Sequence, residues 1–248
     1  MDKTFFLFLL AGFLAQTIDG CIGMAYGVSS TSLLLSFGVP PAAASASVHT
    51  AEIFTTFVSG ISHYKLKNID KKLFSSLVIP GVIGGIIGAY VLTNIDTTII
   101  EPIINIYLIV MGLRIIYKAF GKPVQKAIQN IKIQILAVVG GFLDAIGGGG
   151  WGPVVTTTLV ANGTTPRYVI GSVNASEFFV TLAQAITFVT LIGLGDYWKI
   201  IIALAIGGVI AAPFAALLVK KISAKVMMII VGIVVTALNI RNIILLFI

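Results

Sequence analysis

Asp144-Ala145-Ile146-Gly147-Gly148-Gly149-Gly150-Trp151-Gly152-Pro153 interrupts a segment that is otherwise apolar from Ile131 to about Ala161, and Asp144 is its only charge after Lys132. A carboxylate, a glycine run and a proline are each unfavourable inside a hydrophobic helix. An acidic group near the centre of a bilayer costs roughly 2.5–3.5 kcal/mol on insertion scales, so it faces protein or a water-filled cavity. Non-helical backbone at membrane depth persists only where protein buries it or water reaches it. The same punctuation stands 125 positions earlier. Asp19-Gly20-Cys21-Ile22-Gly23-Met24-Ala25-Tyr26-Gly27 sets Asp19 against Asp144, Gly23 against Gly148, Tyr26 against Trp151 and Gly27 against Gly152.

The surrounding composition says what kind of chain carries this pair. Of 248 residues 58% are hydrophobic and only 10% charged, with a mean hydropathy of +1.07. A soluble domain carries about 25% charged residues, so the sequence predicts an all-α integral membrane protein. The net charge of +7 sits in short loops between apolar runs, which fits the positive-inside bias of membrane loops and not a nucleic-acid surface. A single cysteine, Cys21, excludes an intramolecular disulfide. Lys3 and the apolar run from Thr4 to Ala15 resemble a leader peptide, but cleavage there would remove the helix before Asp19, so the segment is expected to be retained.

Eight apolar segments follow, at roughly 4–36, 41–62, 73–93, 98–118, 131–161, 167–192, 198–219 and 226–248. Most match the length of about 20 residues that one span needs. The first and fifth are too long for one straight span, and both hold the glycine break. The duplication continues beyond the breaks: Gly38 and Pro41 match Gly163 and Pro166, and Ser47-Val48-His49-Thr50-Ala51-Glu52-Ile53-Phe54 matches Ser172-Val173-Asn174-Ala175-Ser176-Glu177-Phe178-Phe179. The sequence therefore predicts one transmembrane domain of two homologous repeats, residues 1–125 and 126–248. Each opens with a glycine-broken helix, which is either one long tilted, interrupted span or a re-entrant hairpin of two half-helices. The linker Gly121-Lys122-Pro123-Val124-Gln125-Lys126 reads as a cytoplasmic loop. If all eight segments cross, 12 Lys and Arg lie inside and 4 outside. If segments one and five are re-entrant, the halves are inverted and the split is 13 to 3. Inversion is the expectation.

Four of the nine acidic residues fall inside apolar segments, as two repeat-related pairs: Asp19 with Asp144, and Glu52 with Glu177. Each is a candidate coupling carboxylate. For Asp19 and Asp144 the competing reading is structural, a carboxyl capping the half-helix after the break. Around Glu52 stand Ser45, Ser47 and His49, and around Glu177 stand Ser172, Asn174 and Ser176. Such residues either bind a substrate or satisfy themselves on helix backbone. A helix that restarts after Gly23 or Gly150 presents free N–H groups and the positive end of its dipole, which is a ready anion site. Gly23, Tyr26, Gly149, Gly150 and Trp151 would line it. Substituting alanine at Gly149 and Gly150 is expected to extend the preceding helix, by roughly 1 kcal/mol of propensity per site. The spacing of Gly81, Gly84, Gly85 and Gly88 reads as helix packing. No metal-ligand pattern, phosphate loop or catalytic constellation is present, so the sequence predicts neither an enzyme nor a cofactor.

Two halves that each open with a glycine-rich break and continue through Gly-x-x-Pro to Ser-Val-x-x-x-Glu resemble the TauE/SafE sulfite exporter family, over essentially the whole chain. The strongest parts are Asp144 to Pro153 and the stretch from Gly163 and Pro166 to Ser172 and Asn174. The resemblance implies a multi-pass protein of the bacterial or archaeal inner membrane that moves small anions, often sulfite or organosulfonates, usually outward. The expected function is thus a secondary transporter of a small sulfur-containing anion. Ser47, His49, Ser172, Asn174 and the half-helix starts would hold the anion, and Glu52 or Glu177 would carry a coupled proton. The expected partners are the anion and the bilayer; a homo-oligomer is compatible with the chain. The alternatives are a cation or proton transporter or channel built on the four carboxylates, and a membrane enzyme or assembly subunit without its own flux.

Overall fold

In the computed structural model, residues 3–120, 133–162, 164–218 and 224–246 are described. The expected linker Gly121 to Lys126 lies outside them, as do Gly163, Lys220 and Lys221. The described residues are almost wholly helical: α1 (Lys3–Ile22), α2 (Tyr26–Ser36), α3 (Pro41–Lys65), α4 (Lys71–Asn94), α5 (Thr97–Phe120), α6 (Ile133–Gly147), a wide π-type turn over Trp151–Thr156 running into α7 (Thr157–Ala161), α8 (Pro166–Ile192), α9 (Trp198–Leu218) and α10 (Ala224–Leu246). Among the described residues, five stretches are long and apolar enough to cross a membrane: Lys71–Asn94, Thr97–Phe120, Pro166–Ile192, Gly195–Ala212 and Lys225–Leu246. The chain is a multi-pass membrane protein.

Local chemistry sets the helix ends. Pro41 and Pro166 open α3 and α8 in the first helical turn, where a missing N–H costs nothing. The Asp70 carboxylate caps α4 by accepting from the Lys72 and Leu73 N–H groups at 2.9 and 3.1 Å. The first apolar run stops at Ile22 and restarts at Tyr26; the fifth stops at Gly147 and restarts at Trp151. Gly23 and Gly148 each take a left-handed φ, +68° and +60°, which a β-carbon disfavours. The first segment bends back at its break, because the Phe8 ring lies 5.5 Å from that of Phe37, just past α2. In the fifth, Gly140 faces Val155, and Ile133 and Ala137 cluster with Leu159 and Val160.

The outer surface is apolar like the core, unlike that of a soluble protein. Ile79 is 68% exposed and Ile99 61%, while His49, Asn105 and Gln184 are each 0% exposed. Apolar side chains both face the surroundings and pack the interior, and the polar residues of the helices are buried among them, because a hydrocarbon solvent offers polar groups no partner. The glycines expected to mediate packing do so. A β-carbon on Gly84 would lie 2.1 Å from the Val138 carbonyl oxygen and one on Gly88 2.5 Å from that of Phe142, so α4 and α6 run in the same direction with backbones touching. The pair α1 and α9 is built alike, with Gly12 on Leu204 and Gly208 near Gln16. The helices α3 and α8 pack side by side at the centre, and α5 packs on α10.

Candidate functional site

Both breaks are closed by their own aspartate. Asp19 Oδ1 accepts from the Ala25 and Tyr26 N–H groups at 2.8 and 3.4 Å. Asp144 Oδ1 accepts from Gly150 and Trp151 at 2.7 and 2.9 Å. The left-handed glycine turns the chain so that a carboxylate six residues upstream reaches the start of the next helix. Charge-assisted bonds of this kind are strong and satisfy donors that would otherwise be bare in an apolar interior. The capping reading of these two residues thus describes what their Oδ1 atoms do.

The two breaks meet. A β-carbon on Gly27 would sit 2.6 Å from Gly149 Cα, one on Gly149 2.2 Å from the Val28 nitrogen, and one on Gly152 2.5 Å from the Gly23 carbonyl oxygen. Only glycine lets the backbones approach so closely. At this crossing lies a cavity of about 10 Å³, lined by Asp19, Gly27, Val28, Glu52, Asp144, Gly149, Gly150, Gly152 and Glu177 among others. That is about the room one water needs. All four intramembrane carboxylates therefore converge on one point, and no lysine or arginine among the described residues lines it.

The two glutamates are held differently. His49 Nε2 lies 3.2 Å from the Asp144 main-chain oxygen, and its Nδ1 lies 3.0 Å from Glu52 Oε2. A carbonyl only accepts, so Nε2 carries a hydrogen. The Nδ1–Glu52 contact then holds one proton, either on the imidazole or on the carboxyl. Glu177, from α8, lines the cavity, and no hydrogen bond ties its carboxyl to another described residue.

The other expected binding residues are distributed less evenly. Gly149 and Gly150 line the cavity, and Gly23 forms the turn before it. Tyr26 and Trp151 are buried in packing. The Tyr26 hydroxyl donates to the Leu204 carbonyl at 3.1 Å, the Trp151 indole N–H donates to Val173 at 3.2 Å, and neither lines the cavity. Ser172 is remote from it, since its hydroxyl accepts from the Asp70 N–H at 2.9 Å and so anchors the loop before α4. Asn174 accepts from the Ser59 hydroxyl at 2.9 Å, joining α8 to α3. Ser47 is buried on α3, outside the cavity lining.

The family model for the sulfite exporter TauE/SafE family matches residues 8–242. The chain belongs to the TauE/SafE family. It is 43% identical to probable membrane transporter protein YtnM of Bacillus subtilis (strain 168), over 98% of this chain and 83% of that protein. It is 25% identical to probable membrane transporter protein YunE of the same organism, over 93% and 94%. No solved structure matches. Membership puts the chain among membrane transporters.

Within this TauE/SafE chain the two breaks differ in their support. Four hydroxyls or ring groups grip the second one: Thr31 donates to Gly148 O at 2.7 Å, Ser45 to Ala145 O at 2.6 Å, Tyr107 to Gly149 O at 3.3 Å, and His49 to Asp144 O. Gln184 adds bonds to Asp144 Oδ2 at 3.0 Å and to Gly141 O at 3.1 Å. At the positions 125 residues on from Thr31, Ser45 and His49 stand Thr156, Ile170 and Asn174. The Thr156 hydroxyl is buried without a partner, Ile170 cannot donate, and Asn174 bonds elsewhere. Sequence reasoning missed Gly27, Val28 and Gly152 as lining residues, although the aligned glycines Gly27 and Gly152 signalled them. Gln184 and Tyr107 carried no sequence signal, because each is an isolated polar residue in an apolar helix.

Proposed function

We propose that this protein is a secondary transporter that moves a small sulfur-containing anion, such as sulfite or an organosulfonate, outward across the cell membrane together with a proton. The observation that carries this reading is that Gly27, Val28 and Gly152, in the first turns of the two half-helices, line the same cavity as Glu52 and Glu177. Helix starts favour an anion, and carboxyls beside it repel the anion unless protonated. Asp19 and Asp144 occupy the first N–H groups of each half-helix. The donors left for a substrate are those of the next residues, at Gly27, Val28 and Gly152; Pro153 has none. Glu177 is the better proton carrier, since Glu52 already shares a proton with His49. The cavity is too small for an oxyanion of sulfur, so binding requires the breaks to separate.

The architecture proposed for this cycle is two inverted repeats. Each consists of a re-entrant pair, α1–α2 or α6–α7, and three crossings, α3–α5 or α8–α10. Several contacts support it. Arg167 bonds to Asn68 and the Leu66 carbonyl, and Lys225 stacks on Phe120, which gathers the basic loops at one end. Arg241 bonds to the Ser36 carbonyl, beside the start of α1 at the other. Crossed pairing of α1 with α9 and of α6 with α4 fits a site between repeats.

A second reading, a cation or proton pathway, is favoured by the four carboxylates. Flux in liposomes separates the two. Labelled sulfite should move uphill under an imposed pH gradient in the unmodified protein. Glu177→Gln should keep sulfite binding and lose both its pH dependence and gradient-driven accumulation. Glu52→Gln should keep coupling, because the amide donates to His49 as the protonated acid does. Cation-dependent flux without sulfite, abolished by Glu177→Gln, would establish the second reading instead.

A further inference from the structure

A groove of about 270 Å³ runs down the outer surface between α3, α4 and α8 and shares no lining residue with the carboxylate cavity. Its walls are aromatic. The rings of Phe57 and Phe178 lie 5.4 Å apart, those of Phe178 and Phe179 5.2 Å, and those of Phe74 and Phe179 5.9 Å. Gly60 and Ala175 form a floor without bulk. At one end the groove reaches Tyr64 and Ile69, directly beside Lys65, Lys67, Lys71 and Lys72. Those four lysines are exposed, and none is in an ion pair among the described residues. Arg167 is tied onto the same loop through Asn68 and Leu66. The one acid there, Asp70, is engaged in capping α4. Five cations against one anion thus crown one end of an apolar slot that opens to the hydrocarbon.

The contrast with the neighbouring groove is informative. That groove, on α9 beside Phe54, is lined by Ile201, Ile202, Ala205, Ile206, Val209 and Ile210. Apart from Phe54 its walls are aliphatic, and among the described residues Lys199 is the one cation that adjoins its lining in sequence, so it offers an acyl chain a surface but its headgroup one charge against five.

We propose that the aromatic groove is a binding site for an anionic phospholipid, with one acyl chain along Phe57, Phe178 and Phe179 and the phosphate among Lys65, Lys67, Lys71 and Lys72. Apolar contact supplies a place for the chain, and the basic loop supplies the preference for negative charge. Gly60 matters because a side chain there would fill the slot, while its β-carbon would meet only Ala175, at 3.5 Å, an ordinary contact.

The test is native mass spectrometry of the full chain in mild detergent, titrated with phosphatidylglycerol or with phosphatidylcholine of the same acyl chains. Phosphatidylglycerol should be retained preferentially, by about fivefold for each lysine in contact. Combined Lys65→Gln, Lys67→Gln, Lys71→Gln and Lys72→Gln should reduce its retention to that of phosphatidylcholine. Gly60→Leu should remove one bound lipid of either kind while leaving the thermal midpoint within a few degrees. Equal retention of both lipids by the unmodified chain overturns the proposal, as does unchanged preference in the glutamine variant. An undiminished lipid count in a folded Gly60→Leu protein overturns it too. A lipid-free dimer that Gly60→Leu splits would assign the groove to a second copy of the chain instead.

Discussion

At the scale of single residues, the aspartates that look alike in sequence are not equally constrained. Asp19 and Asp144 both cap a half-helix, yet among the described residues only Asp144 uses its second oxygen, to accept from Gln184. Replacing a carboxylate by an amide keeps one acceptor and turns the other oxygen into a donor. Asp19→Asn is therefore expected to fold nearly as well as the parent. In Asp144→Asn an NH₂ group would face the Gln184 NH₂ group, which is itself held on the Gly141 carbonyl. A buried mismatch of that kind costs about 1–3 kcal/mol. Thermal unfolding of the two variants in the same detergent checks the difference; equal losses would mean that Gln184 turns its amide at no cost. Gly149 makes a comparable point. Its spacing alone implies a helix-breaking role, so alanine would act through propensity. In the structure a β-carbon there would lie 2.2 Å from the Val28 nitrogen. Gly149→Ala is thus expected to force the two breaks apart and to abolish flux outright, whereas Gly60→Ala, within α3, where a β-carbon would meet only Ala175 at 3.5 Å, should leave it largely intact. Flux measured on the two variants, at matched amounts of folded protein, decides between contact and propensity.

At the scale of elements, the decisive feature is the unequal support of two similar hairpins. The break between α6 and α7 is gripped by Thr31, Ser45, His49, Tyr107 and Gln184, from α2, α3, α5 and α8. Among the described residues the break between α1 and α2 has no such side-chain bonds to its carbonyls; it relies on its own aspartate and on packing against α8, α9 and α10. Local opening follows the weakest support, so amides around Gly23 to Tyr26 should exchange with solvent faster than those around Gly148 to Trp151. Hydrogen exchange read by mass spectrometry tests this, and the difference should shrink in Thr31→Val with Ser45→Ala. Faster exchange at the second break in the unmodified protein would contradict it. For a cavity as small as the one between Glu52 and Glu177, opening at one break is what would admit an anion, and the α1–α2 pair is the one with less to release.

At the scale of the whole molecule, the basic loops and the directions of the helices together set an expected topology. A cytoplasm-dependent fluorescent reporter fused after Ile248 should stay dark, and one inserted after Asn68 should fluoresce; the reverse pattern would remove the inverted arrangement. Much of the protein's character is legible in the sequence alone. Composition identified a membrane protein because the bilayer selects side chains by polarity alone. Asp19, Asp144, Glu52 and Glu177 stood out because a charge in an apolar run has no local excuse, and the glycine runs marked the two breaks because helix interruption is a local property of the backbone. What each side chain does was a different matter. Tyr26 and Trp151 look like lining residues by position, but their polar hydrogens are taken by backbone on α9 and α8. Ser172 matches Ser47 in the repeat, yet it holds the loop at Asp70. The convergence of four carboxylates, and of Gly27 with Gly149, joins residues more than a hundred positions apart. Such contacts depend on how helices cross, which periodicity and spacing do not encode, so only the tertiary structure decided them.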